Sequence, residues 1–160
     1  MSKIKYLVMD VDGTLTDGKI YMGVDGELCK VFNIKDGCGI HDIAISNGII
    51  PIIITGRKSK ITENRAKEIG VTKMYQGVAN KWGVLSDIIT DITQVAYIGD
   101  DINDMDCMMH IKEKGGIIGC PNDAVPKIRE IADYICEHNG GDGAVRDYIE
   151  WIVERQGIKF

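Results

Sequence analysis

Acidic residues gather at two places in this chain: Asp10 and Asp12 in "VMDVDGTLTDG", and Asp100, Asp101 and Asp104 in "IGDDINDM". Residues two apart in extended backbone point the same way, so Asp10 and Asp12 present two carboxylates side by side. Like carboxylates that are close repel, and one keeps its proton unless a cation sits between them. Asp10, Asp12, Asp100 and Asp104 on one sheet edge therefore imply a hard cation with oxygen ligands, Mg²⁺ before Ca²⁺. Mg²⁺ commonly keeps waters and takes one or two carboxylates plus a substrate phosphate. Thr55 and Lys81 supply what else a phosphoryl group needs, a hydroxyl donor and a point charge. Thr14 and the amides around Gly13 suit phosphate oxygens. One carboxylate can attack phosphorus and form an aspartyl-phosphate, while the other protonates the leaving alkoxide and then deprotonates water.

These residues need elements to position them. Apolar runs at Ile4–Met9, Ile49–Ile54, Val95–Ile98 and Gly116–Gly119 predict parallel strands buried on both faces. Between them, helical spacing predicts helices at Gly37–Asn47, Lys58–Ile69, Lys81–Thr90, Ile102–Ile111 and Ala124–Ile131. A last helix spans Gly143–Arg155, with Val145, Tyr148, Ile149 and Ile152 on one stripe. Alternating strands and helices give a doubly wound, Rossmann-like parallel sheet with helices on both faces, and such sheets bind ligands at the carboxyl ends of their strands. Residues 18–35, "GKIYMGVDGELCKVFNIK", break the rhythm, and Asp25-Gly26 marks a β-hairpin inserted in the first crossover. No stretch is long enough for a large cap domain.

A length of 160 residues suits one domain, 1–160, with the hairpin at 18–35 and a tail and helix at 137–160. A formal charge of −5 argues against nucleic acid or an anionic membrane as partner, and no segment has the apolar length of a membrane span. The five cysteines form no metal-type cluster, and the polar start Met-Ser-Lys carries no apolar leader, so free thiols in the cytoplasm are expected. His41, His110 and His138 lack metal-ligand spacing and read as structural.

"DVDGTLTDG", "ITGR", Lys81 and "IGDDINDM", in this order across nearly the whole chain, resemble the four motifs of the haloacid-dehalogenase superfamily of phosphatases. The resemblance implies Asp10 as nucleophile and Asp12 as general acid/base, with Thr55 and Lys81 holding the phosphoryl group. It implies that Asp10, the main-chain carbonyl of Asp12 and Asp100 bind Mg²⁺. Asp104 then stands behind the metal, orienting its waters or Lys81, and Asp101 is either an outer acid or simply exposed. A receiver domain also takes phosphate on Asp, but there the lysine comes last, whereas Lys81 precedes Asp100. A non-catalytic assembly domain of this fold would not need the intact Asp10, Asp12, Thr55, Lys81 and Asp100.

The hairpin, together with "ITGRKSKITENRAKEIGV", "MYQGVANK" and "GGDGAVRD", is similar to the capless family of 3-deoxy-D-manno-octulosonate 8-phosphate phosphatases, enzymes of lipopolysaccharide core synthesis. The family likeness implies a homotetramer in which the Gly-rich tail segment of one subunit reaches the neighbouring site. An acidic sugar phosphate needs positive charge. Arg57 after Thr55-Gly56, and Arg65 about two helical turns on, suit a carboxylate; Arg65 equally suits an ion pair with Glu68. Arg146 suits either substrate or a salt bridge on the last helix. Gly140, Gly141 and Gly143 suit a mobile lid or a plain helix boundary. Arg57 favours the eight-carbon substrate over a nine-carbon keto-sugar acid 9-phosphate. Asn80 stands where the family pattern often has Asp before the motif lysine.

Overall fold

The computed structural model describes residues 3–159. Six strands form one parallel sheet in the order β5-β4-β1-β6-β7-β8: β5 (Lys73–Tyr75), β4 (Ile50–Ile54), β1 (Tyr6–Met9), β6 (Val95–Ile98), β7 (Ile117–Cys120) and β8 (Tyr134–Ile135). β2 (Tyr21–Gly23) and β3 (Gly26–Cys29) pair antiparallel as the expected hairpin. Helices α1 (Ile34–Cys38), α2 (Lys60–Glu68), α3 (Lys81–Ile88), α4 (Ile102–Glu113), α5 (Pro126–Ile131) and α6 (Ala144–Arg155) make the remaining connections. This is the doubly wound α/β fold with a hairpin and no large cap. Among the described residues, no helix is long and apolar enough to cross a membrane.

Alternate residues of β1 feed two cores. Leu7 and Met9 pack on one face with α6 residues Val145, Tyr148, Ile149 and Ile152. Val8 packs on the other with Leu85 of α3 and Cys107, Met108 and Ile111 of α4. Each fully buried aliphatic side chain contributes roughly 1.5–3 kcal/mol, which keeps β1 at the sheet's centre. Burial on both faces explains why its sequence shows no polar alternation.

The chain runs from β1 outward through β4 to β5, then returns to β6 on the other side of β1. The strand order therefore reverses between β1 and β6, where α/β sheets open a crevice. Met9 is in register with both Ile53 and Ile98, so Asp10, Thr55 and Asp100 leave the sheet at nearly one level.

Two strands escape the sequence pattern. β5 and β8 have three and two residues at the sheet edges, too few for a periodicity to register. The helix expected at Gly37–Asn47 begins at Ile34 and continues as a π-helical turn over Gly39–Ala44 and a 3₁₀ turn over Ile45–Asn47. α2 starts at Lys60, so Arg57 lies in the turn before it, and the eight-residue spacing to Arg65 does not run along one helix.

Candidate active site

Asp10 follows β1 directly and is almost wholly buried. Lys81, the first residue of α3, reaches it: Lys81 Nζ lies 2.9 Å from Asp10 Oδ1 and 2.6 Å from Asp104 Oδ1. Asn80 caps α3 by accepting from the Gly83 amide at 2.8 Å. The residue that departs from the family pattern thus starts the helix that carries the lysine. Burial works against the ammonium, yet Asp10 and Asp104 outweigh it and hold the Lys81 pKa above its usual value.

Asp104 is fully buried and wholly engaged. One oxygen takes Lys81 and the Tyr97 hydroxyl, which donates at 2.6 Å. The other accepts from the Asp100 and Asp101 amides at 3.0 and 3.2 Å. Asp101 is exposed and caps α4 in a reciprocal box with Asp104. Asp101 is thereby a helix-capping residue, and Asp104 is a brace between α4, β6 and Lys81.

Asp10, Asp100 and Asp104 each offer an oxygen within 4.8 Å of the others. Since Asp104 has no lone pair to spare, Asp10 and Asp100 are the pair open to a cation. Burial, then Asp104, raises the Asp10 pKa, with Lys81 opposing. Burial, then Asp10 and Asp104, raises that of Asp100. Two buried carboxylates that resist ionising together are the donor set a hard divalent ion relieves. Thr14 donates to Asp100 Oδ1 at 3.1 Å. Gly13, at φ +91°, runs so close to Asp100 that a Cβ there would lie 2.0 Å from Asp100 Oδ2, so only glycine lets this loop pass.

Asp12 lies at the mouth, partly exposed, where Lys30 of the hairpin holds its carboxylate and Arg57 Nε stands 3.9 Å away. Thr55 follows β4 directly and is buried. Lys30, Glu27, Ser59 and Tyr97 went unread in the sequence. A lone hydroxyl in the apolar run "VAYI" was the available signal for Tyr97. No spacing rule could bring Lys30 to Asp12 eighteen residues away.

Arg65 and Arg146 stand apart from this cluster. Arg65 pairs with Glu68 at 2.8 Å, donates to the Asn33 carbonyl and lies over Phe32. Arg146 pairs with Glu150 one turn along α6. The Gly-rich segment is packed rather than a free lid. The Gly141 amide donates to Thr14 O at 3.1 Å, and a Cβ on Gly140 would lie 1.9 Å from Gly13 O. It braces the back of the Asp10–Thr16 loop. All five cysteines are free thiols.

No family model matches the chain. It is 42% identical over 158 residues to the 3-deoxy-D-manno-octulosonate 8-phosphate phosphatase KdsC of Escherichia coli K12, covering 96% of this chain and 81% of that protein. The cobalt-bound deoxy-D-mannose-octulosonate 8-phosphate phosphatase of Haemophilus influenzae superposes with TM-score 0.89 at 30% identity, over 97% of this chain and 90% of that one. The Moraxella catarrhalis 3-deoxy-D-manno-octulosonate 8-phosphate phosphatase, solved with a magnesium ion, a phosphate ion and a KDO molecule, superposes with TM-score 0.88 at 35% identity, over 96% and 88%. With the motifs in order on this fold and identity at this level along nearly the whole chain, the protein is a phosphatase and belongs to the 3-deoxy-D-manno-octulosonate 8-phosphate phosphatase family of the haloacid-dehalogenase superfamily.

Proposed function

We propose that this chain hydrolyses 3-deoxy-D-manno-octulosonate 8-phosphate to the free sugar acid and phosphate, through an aspartyl-phosphate on Asp10. The observation that carries this is the buried contact of Lys81 with Asp10, 2.9 Å long, beside Asp100 at the reversal point of the sheet. Asp10 attacks phosphorus and the ester P–O bond breaks. Asp12 gives its proton to the leaving alkoxide, then takes one from the water that attacks the aspartyl-phosphate, restoring Asp10. Lys81, Thr55 and the loop amides orient the phosphoryl oxygens and offset their charge, while the Thr14 hydroxyl, expected from the sequence to meet the phosphate, is spent on Asp100 instead. Asp10, the Asp12 carbonyl and Asp100 would hold Mg²⁺, which supplies further charge neutralisation at those oxygens. Arg57 at the mouth suits the sugar's carboxylate. Arg65 and Arg146 serve packing within the chain in this scheme, because each is held by an acid on its own helix.

The working form is a homotetramer in the cytoplasm. Its support is the row of exposed apolar side chains on the hairpin and at the start of α1: Ile20, Met22, Val24, Leu28, Val31 and Ile34. A two-stranded sheet with open edges and such a surface needs a partner, and further copies of the chain supply it. Light scattering at micromolar concentration should give four times the chain mass; a monomer removes this assembly. Phosphate release with Mg²⁺ across eight- and nine-carbon keto-sugar acid phosphates tests the substrate. The eight-carbon ester should have the highest kcat/KM. A preference for a nine-carbon ester replaces the substrate, and no release from either class overturns the proposal.

A further inference from the structure

The hairpin is seated on the body through charge. Ile20, Met22, Val24 and Leu28 are all exposed, so the strands bury little apolar surface of their own. Its seat is Glu27 and Lys30. The Glu27 carboxylate has Lys30 Nζ at 2.9 Å and Arg57 Nη2 at 3.7 Å on one oxygen, and accepts from the Ser59 hydroxyl at 2.7 Å on the other. Partial burial opposes ionisation, but Ser59 and Lys30 hold the Glu27 carboxyl below its usual range. Ser59 is the N-cap residue of α2, yet its hydroxyl makes no cap bond to the helix and goes to Glu27 instead. A serine cap is worth on the order of 1 kcal/mol to a helix, so donating to a carboxylate across the mouth replaces a stabilising local bond.

Three donors from two segments thus converge on one carboxylate beside Asp12. Lys30 Nζ and Arg57 Nη2 share one Glu27 oxygen, so a carboxylate that takes Glu27's place meets both cations, whereas one arriving beside it also meets Glu27's own charge. Glu27 lies on the hairpin at the mouth, its side chain partly buried.

We propose that Glu27 is the built-in occupant of a carboxylate subsite formed by Lys30, Arg57 and Ser59, and that the carboxylate of the substrate displaces it. This rests on the sugar-acid phosphate reading above. Glu27 is then a specificity-determining residue. An ester without a carboxylate cannot take its place and meets a partly filled mouth, while a sugar acid meets a site whose donors are already aimed. The occupied fraction lowers apparent affinity, since a ligand binds only the share of molecules whose subsite is free.

Steady-state kinetics with Mg²⁺ on 3-deoxy-D-manno-octulosonate 8-phosphate and on p-nitrophenyl phosphate test this with Glu27→Gln, which keeps an acceptor for Ser59 and removes the charge. KM for the sugar acid ester should fall by roughly three- to tenfold as the competing occupant is weakened, and by more than KM for the aryl ester. Calorimetric titration with the free sugar acid should show the same tightening without turnover. In an Arg57→Ala background the gain should vanish, because the two substitutions act on one contact. An unchanged or higher KM for the sugar acid ester, or an equal fall for both esters, overturns the role of Glu27 and leaves the substrate standing. If the unsubstituted enzyme does not hydrolyse the sugar acid ester, the substrate reading falls and this proposal falls with it.

Discussion

Asp104 has all its acceptor sites filled before any ligand arrives, and that settles the division of labour among the acids. Lys81 and Tyr97 take one oxygen and two amides take the other, so Asp104 fixes the lysine and leaves Asp10 and Asp100 to face a cation. The spacing of Asp10, Asp12, Lys81 and Asp100 was readable because each follows a strand or opens a helix. The bonding of Asp104 was not, because a carboxylate's partners depend on what the fold packs around it. Asp10→Asn keeps the shape and removes the attacking charge. Turnover should fall by at least about a thousandfold, the scale seen on losing a nucleophile, with circular dichroism and oligomer size unchanged. Phosphate release near the native rate would reassign the nucleophile.

α1 and α6 meet through one buried acid. Asp36 lies at the start of α6, where its carboxylate accepts from the Arg146 amide at 2.9 Å, in place of a side-chain cap that Gly143 cannot offer. Burial pushes its pKa up to about 6, against the pull of the α6 amides. A carboxyl that binds its proton more tightly folded than unfolded favours the fold below about pH 4, and that contribution is lost as pH rises through about 6. Asp36→Asn keeps the acceptor and removes the titration. Its unfolding free energy should decline less than the parent's between about pH 4 and 6, by on the order of 2 kcal/mol. Urea denaturation across that range would show parallel curves if Asp36 ionised freely. From the sequence, Asp36 was one more polar residue in "NIKDG"; only the approach of α6, over a hundred residues later, gives it a helix to cap. The Gly140–Gly143 segment teaches the same lesson, since glycine suits both a mobile loop and a close backbone approach, and contact with Gly13 chose the second.

For the whole molecule, the sheet's reversal between β1 and β6 brings like charges together, so stability and metal binding are linked. The raised pKa values of Asp10 and Asp100 mean that the metal-free protein loses stability as pH rises from the ordinary carboxylate range through those raised values. Mg²⁺, held by the ionised pair as proposed, should raise the melting temperature, by more at pH 8 than at pH 5, since proton and metal compete for the same oxygens. Equal shifts at both pH values in calorimetry, or none, would separate the carboxylates from the metal. The order of the motifs and the doubly wound class were determined by sequence alone, because buried parallel strands and the turns after them are local patterns. The hairpin's charged seat, the engagement of Asp104 and the packing of the Gly-rich segment were decided only by tertiary structure. Each joins residues far apart in the chain, and local propensity carries no record of which distant group will complete a charge or fill a space.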